Sequence, residues 1–154
     1  MEDFDIIGPH DQPALVAISS PDLSASVKAS LTGIGYKVHV VDGPLLFETR
    51  YSQVNYQVVF IEETFACTNA IDNTTLGTIQ NMPMSQRRHA TFFLIGPSYE
   101  TLNTMQAFGL SVHCVINTAE LPVLSEIVQK TVAENDVFLA AFRDAQRRSY
   151  LKPS

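Results

Sequence analysis

The stretch Tyr56–Glu63, with the sequence YQVVFIEE, decides how this chain folds. Its centre, Val58–Ile61, is a run of apolar residues that are β-branched or aromatic. Such a run is too short for a buried helix and is typical of a central strand that is covered on both faces. The run ends at two carboxylates, Glu62 and Glu63. Because ligands of open α/β sheets bind at the carboxyl ends of the strands, Glu62 is the first candidate for a functional side chain.

Similar apolar or alternating segments on both sides of this stretch predict four more strands, and the segments between them carry helical spacing or helix-capping residues. The other predicted strands are Ala14–Ser19, Lys37–Val41, Ala90–Ile95 and Val112–Ile116. The predicted helices are Leu23–Leu31, one that begins at Gly43 and Pro44, a short one over Leu76–Met82, and Tyr99–Phe108. Alternating strands and helices in a chain of 154 residues predict a three-layer α/β/α sandwich around a five-stranded parallel sheet.

The composition is that of one globular domain, with 45% hydrophobic and 17% charged residues. A net charge of −6 with few clustered basic residues argues against direct contact with nucleic acid. Cys67 and Cys114 lack the number and spacing of a disulfide framework or a zinc site. Since neither a signal peptide nor an apolar run of membrane length is present in this sequence, we expect a cytoplasmic protein that uses no metal, cofactor or membrane.

The segments outside the predicted sheet have distinct compositions. Residues 1–13 are acidic and contain two prolines, so they are interpreted as an N-terminal tail or linker, with the folded domain over residues 14–133. Phe65–Thr75 is a polar loop directly after the two carboxylates, and long loops of this kind tend to be functional or mobile. Arg87, Arg88 and His89 precede a strand and are interpreted as a solvated turn.

Four segments in a fixed order resemble the receiver domains of two-component response regulators, over roughly residues 14–133. The segments are ALVAISS (14–20), YQVVFIEE (56–63), TFFLIG (91–96) and AFGLSVHCVINTAEL (107–121). The match lies in a first strand that ends in two polar residues, a third that ends in an acid, a fourth that ends in a small-residue turn, and a fifth that a glycine precedes. The resemblance implies a flavodoxin-like parallel sheet and phosphoryl transfer to an aspartate at the end of the third strand.

The residues that carry the chemistry of that family are replaced in this chain. The phosphoacceptor position falls on Glu62, the metal-holding acids on Ser19 and Ser20, the hydroxyl residue of the fourth strand on Ile95, and the lysine of the fifth strand on Ile116 or Asn117. Magnesium prefers carboxylate oxygens, which two serine hydroxyls do not replace. The resemblance is therefore to the degenerate, pseudo-receiver branch, and we expect a domain without phosphotransfer.

Two interpretations of Glu62 remain open. It is either an ordinary solvated carboxylate at a strand end, or a permanent negative charge that holds an activated-like conformation without a phosphoryl donor.

The C-terminal segment, Leu121–Arg148, contains no helix breaker and predicts a helix of roughly 40 Å. Its apolar stripe has heptad spacing: Leu124, Val128, Thr131, Asn135, Phe138, Phe142 and Ala145. We therefore expect residues 134–154 to extend beyond the domain and to bind a second copy of the chain or another protein, with Leu124, Val128, Asn135, Phe138 and Phe142 as interface residues. The alternative is that the first half packs on the sheet and the rest frays.

These observations predict a non-enzymatic signalling module that acts through protein contacts. A rival hypothesis is a small flavodoxin-like enzyme or ligand-binding domain that uses Glu62 and the loop 65–75. The sequence carries no glycine-rich phosphate loop, no recognisable nucleophile and base, and no metal cluster to support it. A third hypothesis is a phosphoaccepting receiver that works by an unorthodox route.

Overall fold

A computed structural model describes residues 7–68 and 72–151 of the chain. Its strands are β1 Gln12–Ala17, β2 Tyr36–Val41, β3 Val58–Glu62, β4 Thr91–Gly96 and β5 Cys114–Asn117. Its helices are α1 Pro21–Gly33, α2 Pro44–Gln53, α3 Thr74–Gln80, α4 Met84–Arg87, α5 Thr104–Gly109 and α6 Leu124–Leu151, with a 3-10 helix over Thr118–Val123. The five strands and the long C-terminal helix confirm the predicted fold class.

All strands are parallel and lie in the order β2-β1-β3-β4-β5, which is the flavodoxin-like order. The predicted central strand, β3, is indeed the middle strand. It pairs with β1 through Ala14 and Val58 and with β4 through Glu62 and Ile95. The carboxyl end of β3 therefore lies between those of β1 and β4.

The core consists of two apolar layers, because successive side chains of each strand point to opposite faces of the sheet. Val59 and Ile61 belong to the layer covered by α2, α3 and α5. Val58 and Phe60 belong to the layer covered by α1 and α6, where Phe60 stacks on Phe93 at 4.7 Å between ring centroids. A sheet that is buried on both faces between two helical layers is the predicted three-layer sandwich.

Several element boundaries differ from those that the sequence pattern predicts. Strand β1 begins at Gln12 and ends at Ala17, so Ser19 lies in the following loop. The short helix α4 was not predicted. The segment Tyr99–Phe108 is helical only from Thr104 onward, since Leu102 adopts a left-handed conformation with φ 64° that interrupts the helix. In the predicted loop Phe65–Thr75, residues 69–71 lie outside the described residues, and Thr74 already begins α3.

Residues 88–89 form a turn in which Arg88 is exposed, as the interpretation of a solvated turn requires, but the side chains of Arg87 and His89 are partly buried. The Arg87 guanidinium lies over the Phe92 ring at 4.8 Å and donates to the carbonyl of Ile79 at 3.0 Å. The His89 ring stacks on Tyr51 with 5.7 Å between ring centroids. Both side chains therefore join the layer that covers the sheet.

Helix α6 is a continuous helix of 28 residues that packs on its own domain in its first half. Leu124 and Val128 are fully buried in the layer shared with α1. These two side chains are core residues, which corrects the expectation that they would face a partner. The Asn135 amide donates to Thr91 Oγ at 3.1 Å, so this residue also contacts its own sheet.

The second half of α6 extends past the sheet. Phe138 remains 66% exposed and Phe142 43% exposed, and the Arg88 guanidinium lies 5.6 Å from the Phe142 ring. An apolar stripe that is covered in the first half of the helix is therefore open in the second. Within residues 7–68 and 72–151, no helix combines the length and the apolar character needed to span a bilayer.

Candidate functional site

The candidate residues lie at the carboxyl edge of the sheet, where the fold brings three of them into contact. Glu62 ends β3, and Ser19 and Ser20 form the loop that joins β1 to α1. Ile95 is the β4 residue paired with Glu62, and Asn117 ends β5. The arrangement follows from the parallel sheet, in which the ends of all five strands share one edge.

The Glu62 carboxylate bridges from β3 to the β1–α1 loop. Its Oε1 accepts hydrogen bonds from the backbone N–H of Ser19 at 2.7 Å and of Ser20 at 3.4 Å. These amides directly precede α1, where the helix dipole also favours a negative charge. Glu62 is half-buried and is held by backbone donors, so it differs from a carboxylate that is merely solvated.

The hydroxyl groups of Ser19 and Ser20 are both engaged with backbone amides. Ser19 Oγ accepts from the N–H of Ala66 at 2.7 Å, and Ala66 has a left-handed conformation with φ 56°. Ser20 Oγ accepts from the N–H of Leu23 at 3.4 Å and forms the N-cap of α1. The two serines thus fix the loops on both sides of Glu62.

Glu63 is more deeply buried than Glu62, which sequence reasoning did not anticipate. Its side chain is packed against Gly96, where an added Cβ would collide with the Glu63 side chain. Its Oε1 accepts from the N–H of Ser98 at 3.2 Å. Burial, together with the charge of Glu63, raises the pKa of Tyr99 to about 12. The glycine at position 96 was the available sequence signal, because glycine is used where a neighbouring group approaches the backbone closely.

Asn73 locks the backbone after β3 and was also not anticipated. Its side-chain amide donates to the carbonyl of Glu62 at 2.9 Å and to that of Glu63 at 3.1 Å. Its Oδ1 accepts from the N–H of Leu76 at 3.0 Å and caps α3. Since Asn73 is 4% exposed, it forms a buried link between the end of β3 and α3.

The remaining two candidates have structural environments. Ile95 is fully buried and has no polar group. The Asn117 amide donates to the carbonyls of Pro97 at 3.2 Å and Tyr99 at 2.9 Å, which fixes the β4–α5 loop. Among the described residues, no group of three or more His, Cys, Asp or Glu side chains could hold a metal ion.

Comparisons with known proteins relate the chain to others by structure. No family model and no curated protein matches it. A response regulator from Thermotoga maritima superposes with a TM-score of 0.64 at 14% identity, over 80% of this chain and 98% of the other. A response regulator receiver domain from Methylobacillus flagellatus gives 0.53 at 18% identity, over 76% and 98%.

A third structure, a protein from Burkholderia pseudomallei named as pilus assembly-related, gives a TM-score of 0.61 at 17% identity, over 83% of this chain and 94% of the other. Identities this low establish similarity of fold. The strand order β2-β1-β3-β4-β5 and the superpositions on two response-regulator structures indicate the same fold. The chain therefore has the fold of a response-regulator receiver domain.

Proposed function

We propose that this domain is a non-catalytic, cytoplasmic signalling module, a pseudo-receiver that transmits through protein contacts instead of phosphorylation. The observation that carries the proposal is the hydrogen bonding of the Glu62 carboxylate to the backbone amides of Ser19 and Ser20. By the resemblance, these are the positions where a phosphorylated receiver would hold its acceptor and its metal. In this chain the Glu62 carboxylate, at the acceptor position, is bound to the backbone of Ser19 and Ser20, at the metal-holding positions.

The charges at this edge support the proposal. Phosphoryl transfer depends on positioning and on cationic groups that stabilise the charge of the transferred group. Ser19 and Ser20 contribute neutral hydroxyls that are engaged with backbone amides. The fifth strand ends at Ile116, which is buried, and Asn117, which binds backbone carbonyls. Neither residue supplies a positive charge.

The proposal is tested by incubation with Mg²⁺ and either acetyl phosphate or beryllofluoride, followed by intact-mass measurement and amide-shift mapping. We expect an unchanged mass and no shifts at Ser19, Ser20 or Glu62. A known phosphorylatable receiver treated in parallel is the positive control. A stable phosphoryl adduct, or shifts centred on Glu62, would show that the domain is an unorthodox phosphoacceptor.

The second half of α6 is the surface through which we propose that the module transmits. Val137, Phe138 and Phe142 expose apolar side chains on one segment of this helix. Exposed apolar groups that lie close together are typical of protein-interaction surfaces. A second copy of the same chain is the partner proposed, since the overhanging helices of two copies would cover each other's apolar residues.

A further inference from the structure

A cavity of about 600 Å³ lies between α2 and the α3–α4 segment. Glu62 is not among the residues that line it. Tyr51 near the end of α2 and His89 just before β4 line it, which places it near the amino-terminal ends of the strands. Helix α6 packs on the other face of the sheet, since Phe47 of α2 and Leu124 of α6 belong to different layers. The volume is within the usual range of small-molecule sites, about 300–1,000 Å³.

One wall of the cavity is aromatic and held in place. Phe47 and Tyr51 stack with 5.8 Å between centroids and 10° between ring planes, and Tyr51 stacks on His89 at 5.7 Å and 28°. The Tyr51 hydroxyl donates to the carbonyl of Gln86 at 2.7 Å, which fixes the ring. Phe47 is fully buried behind this wall, so a ligand would meet Tyr51 and His89, which are partly exposed. A preformed aromatic wall favours a planar aromatic ligand, because contact with rings that are already fixed requires little reordering of the protein.

The charge of the lining favours a cation. Glu48 is exposed at the mouth and is the only Asp, Glu, Lys or Arg that lines the cavity among the described residues. Burial lowers the pKa of His89, so the imidazole on the aromatic wall is neutral at pH 7. An ammonium group at the mouth of the cavity would meet the Glu48 carboxylate, and among the described residues no cationic side chain lines the cavity to repel it.

We propose that this cavity binds a small aromatic amine, with its ring against Tyr51 and His89 and its ammonium group at Glu48. Such a site would give the module an input that does not depend on phosphorylation. The inference does not require the proposed dimer, because none of the described residues of α6 lines the cavity.

The test is a titration of the whole chain with tryptamine and, separately, indole-3-acetate, followed by amide-shift mapping. The two probes share an indole ring and differ in the sign of their charge. We expect saturable shifts at α2, α3 and α4 with tryptamine, and at least fivefold weaker binding of indole-3-acetate. The variant Glu48→Gln should reduce this difference to less than twofold, whereas Glu126→Gln, an exposed change on α6, should leave it unchanged.

Three results would overturn the inference. They are the absence of saturable shifts with millimolar tryptamine, equal binding of the two probes to the unaltered chain, and shifts centred on α6 instead of α2. The variant Ser52→Trp, which places a large side chain on the cavity lining, provides a second check. It should abolish the tryptamine shifts while the remaining amide spectrum shows a folded domain, and unchanged tryptamine binding would also overturn the inference.

Discussion

At the scale of single residues, Glu62 is stabilised by backbone donors and not by solvent alone. Glu62→Gln keeps an oxygen that can accept from Ser19 and Ser20, but it removes the charge that favours the amino end of α1. We expect a loss of about 0.5–1 kcal/mol in the free energy of unfolding, measured with urea. Glu62→Ala should lose more, because both amides then lose their acceptor. Equal stability of all three proteins would contradict this account.

The close approach of Glu63 to Gly96 makes a sharper prediction. Gly96→Ala places a Cβ in the space that the Glu63 side chain occupies, so we expect destabilisation by about 2 kcal/mol or more. Gly109→Ala is the matched control, since nothing lies within 4 Å of its added Cβ. Thermal or urea unfolding compares the two variants.

A double variant identifies the cause of that loss. If the Glu63 side chain is what the new methyl group meets, Glu63→Gly combined with Gly96→Ala should lose less than the sum of the single changes, because Glu63→Gly also removes the Cβ atom that the new methyl group would meet. Additive losses in this cycle would show that the strain at Gly96 has another origin.

The two acids also show what could be predicted from the sequence. The apolar run before Glu62 predicted a central strand, because a strand is recognised from local sequence. It also placed both carboxylates at the carboxyl edge of the sheet, because the ends of parallel strands meet there. Their partners were not predictable from such rules. The hydrogen bond from the N–H of Ala66 to Ser19 Oγ depends on a left-handed residue in a loop, and no periodic pattern encodes it.

At the scale of secondary-structure elements, Asn73 joins β3 to α3. Asn73→Ala removes the cap of α3 and two bonds to carbonyls at the end of β3, so we expect a loss of about 2 kcal/mol. The matched control is Asn103→Ala at the start of α5. Asn103 Oδ1 accepts from the N–H of Gln106 and caps α5, but its amide donates to the Glu100 side chain and not to a strand. We expect this variant to lose about 1 kcal/mol. Equal losses in urea unfolding would mean that the carbonyl bonds of Asn73 contribute nothing.

The pairing of β4 and β5 is extended by a titratable side chain. His113 Nδ1 accepts from the N–H of Phe92 at 2.9 Å, which requires a neutral imidazole. Desolvation of the ring, together with the charge of Arg87, lowers the pKa of His113 from 6.5 to about 4, although the residue as a whole is exposed. The unfolded chain therefore binds more protons between these pH values, and the contribution of His113 to stability is complete above pH 6.5 and is lost as the pH falls toward 4.

Urea unfolding at several pH values tests this assignment. His113→Gln should weaken the decline in stability between pH 6.5 and 4, while His10→Gln, at an exposed position, should not. Part of the decline should remain in His113→Gln, because burial also lowers the pKa of His89. An unchanged pH profile in His113→Gln would remove His113 as its source.

At the scale of the whole molecule, the C-terminal helix has two parts, one covered and one exposed, that the heptad pattern alone did not separate. The pattern predicted one continuous interface from Leu124 to Phe142. In the structure the sheet covers the first part, and Asn135 binds Thr91, so Asn135 is not available to set the register of a helix pair. Periodicity identifies an apolar face, but it does not identify what covers that face.

The helix beyond Asn135 is about 24 Å long at 1.5 Å per residue, and it carries the exposed side chains of Val137, Phe138 and Phe142. The exposed part of each phenylalanine, on the order of 100 Å², would contribute roughly 2.5 kcal/mol on burial at about 25 cal/mol per Å². Association itself costs several kcal/mol. The contributions of both helices of a symmetric pair are thus needed to exceed this cost, and we expect a dimer with a dissociation constant in the micromolar range.

Sedimentation of the intact chain at micromolar concentrations, compared with two variants, tests the dimer. The Phe138→Glu, Phe142→Glu double variant should be monomeric, because four buried carboxylates would oppose the contact. Phe108→Glu is the matched control, since Phe108 is an equally large and more exposed aromatic residue, at 82%, on α5. A monomeric intact chain would exclude self-association through α6 and leave a different protein as its partner. A dimer that Phe108→Glu dissociates, and that the double variant does not, would place the interface on α5 instead.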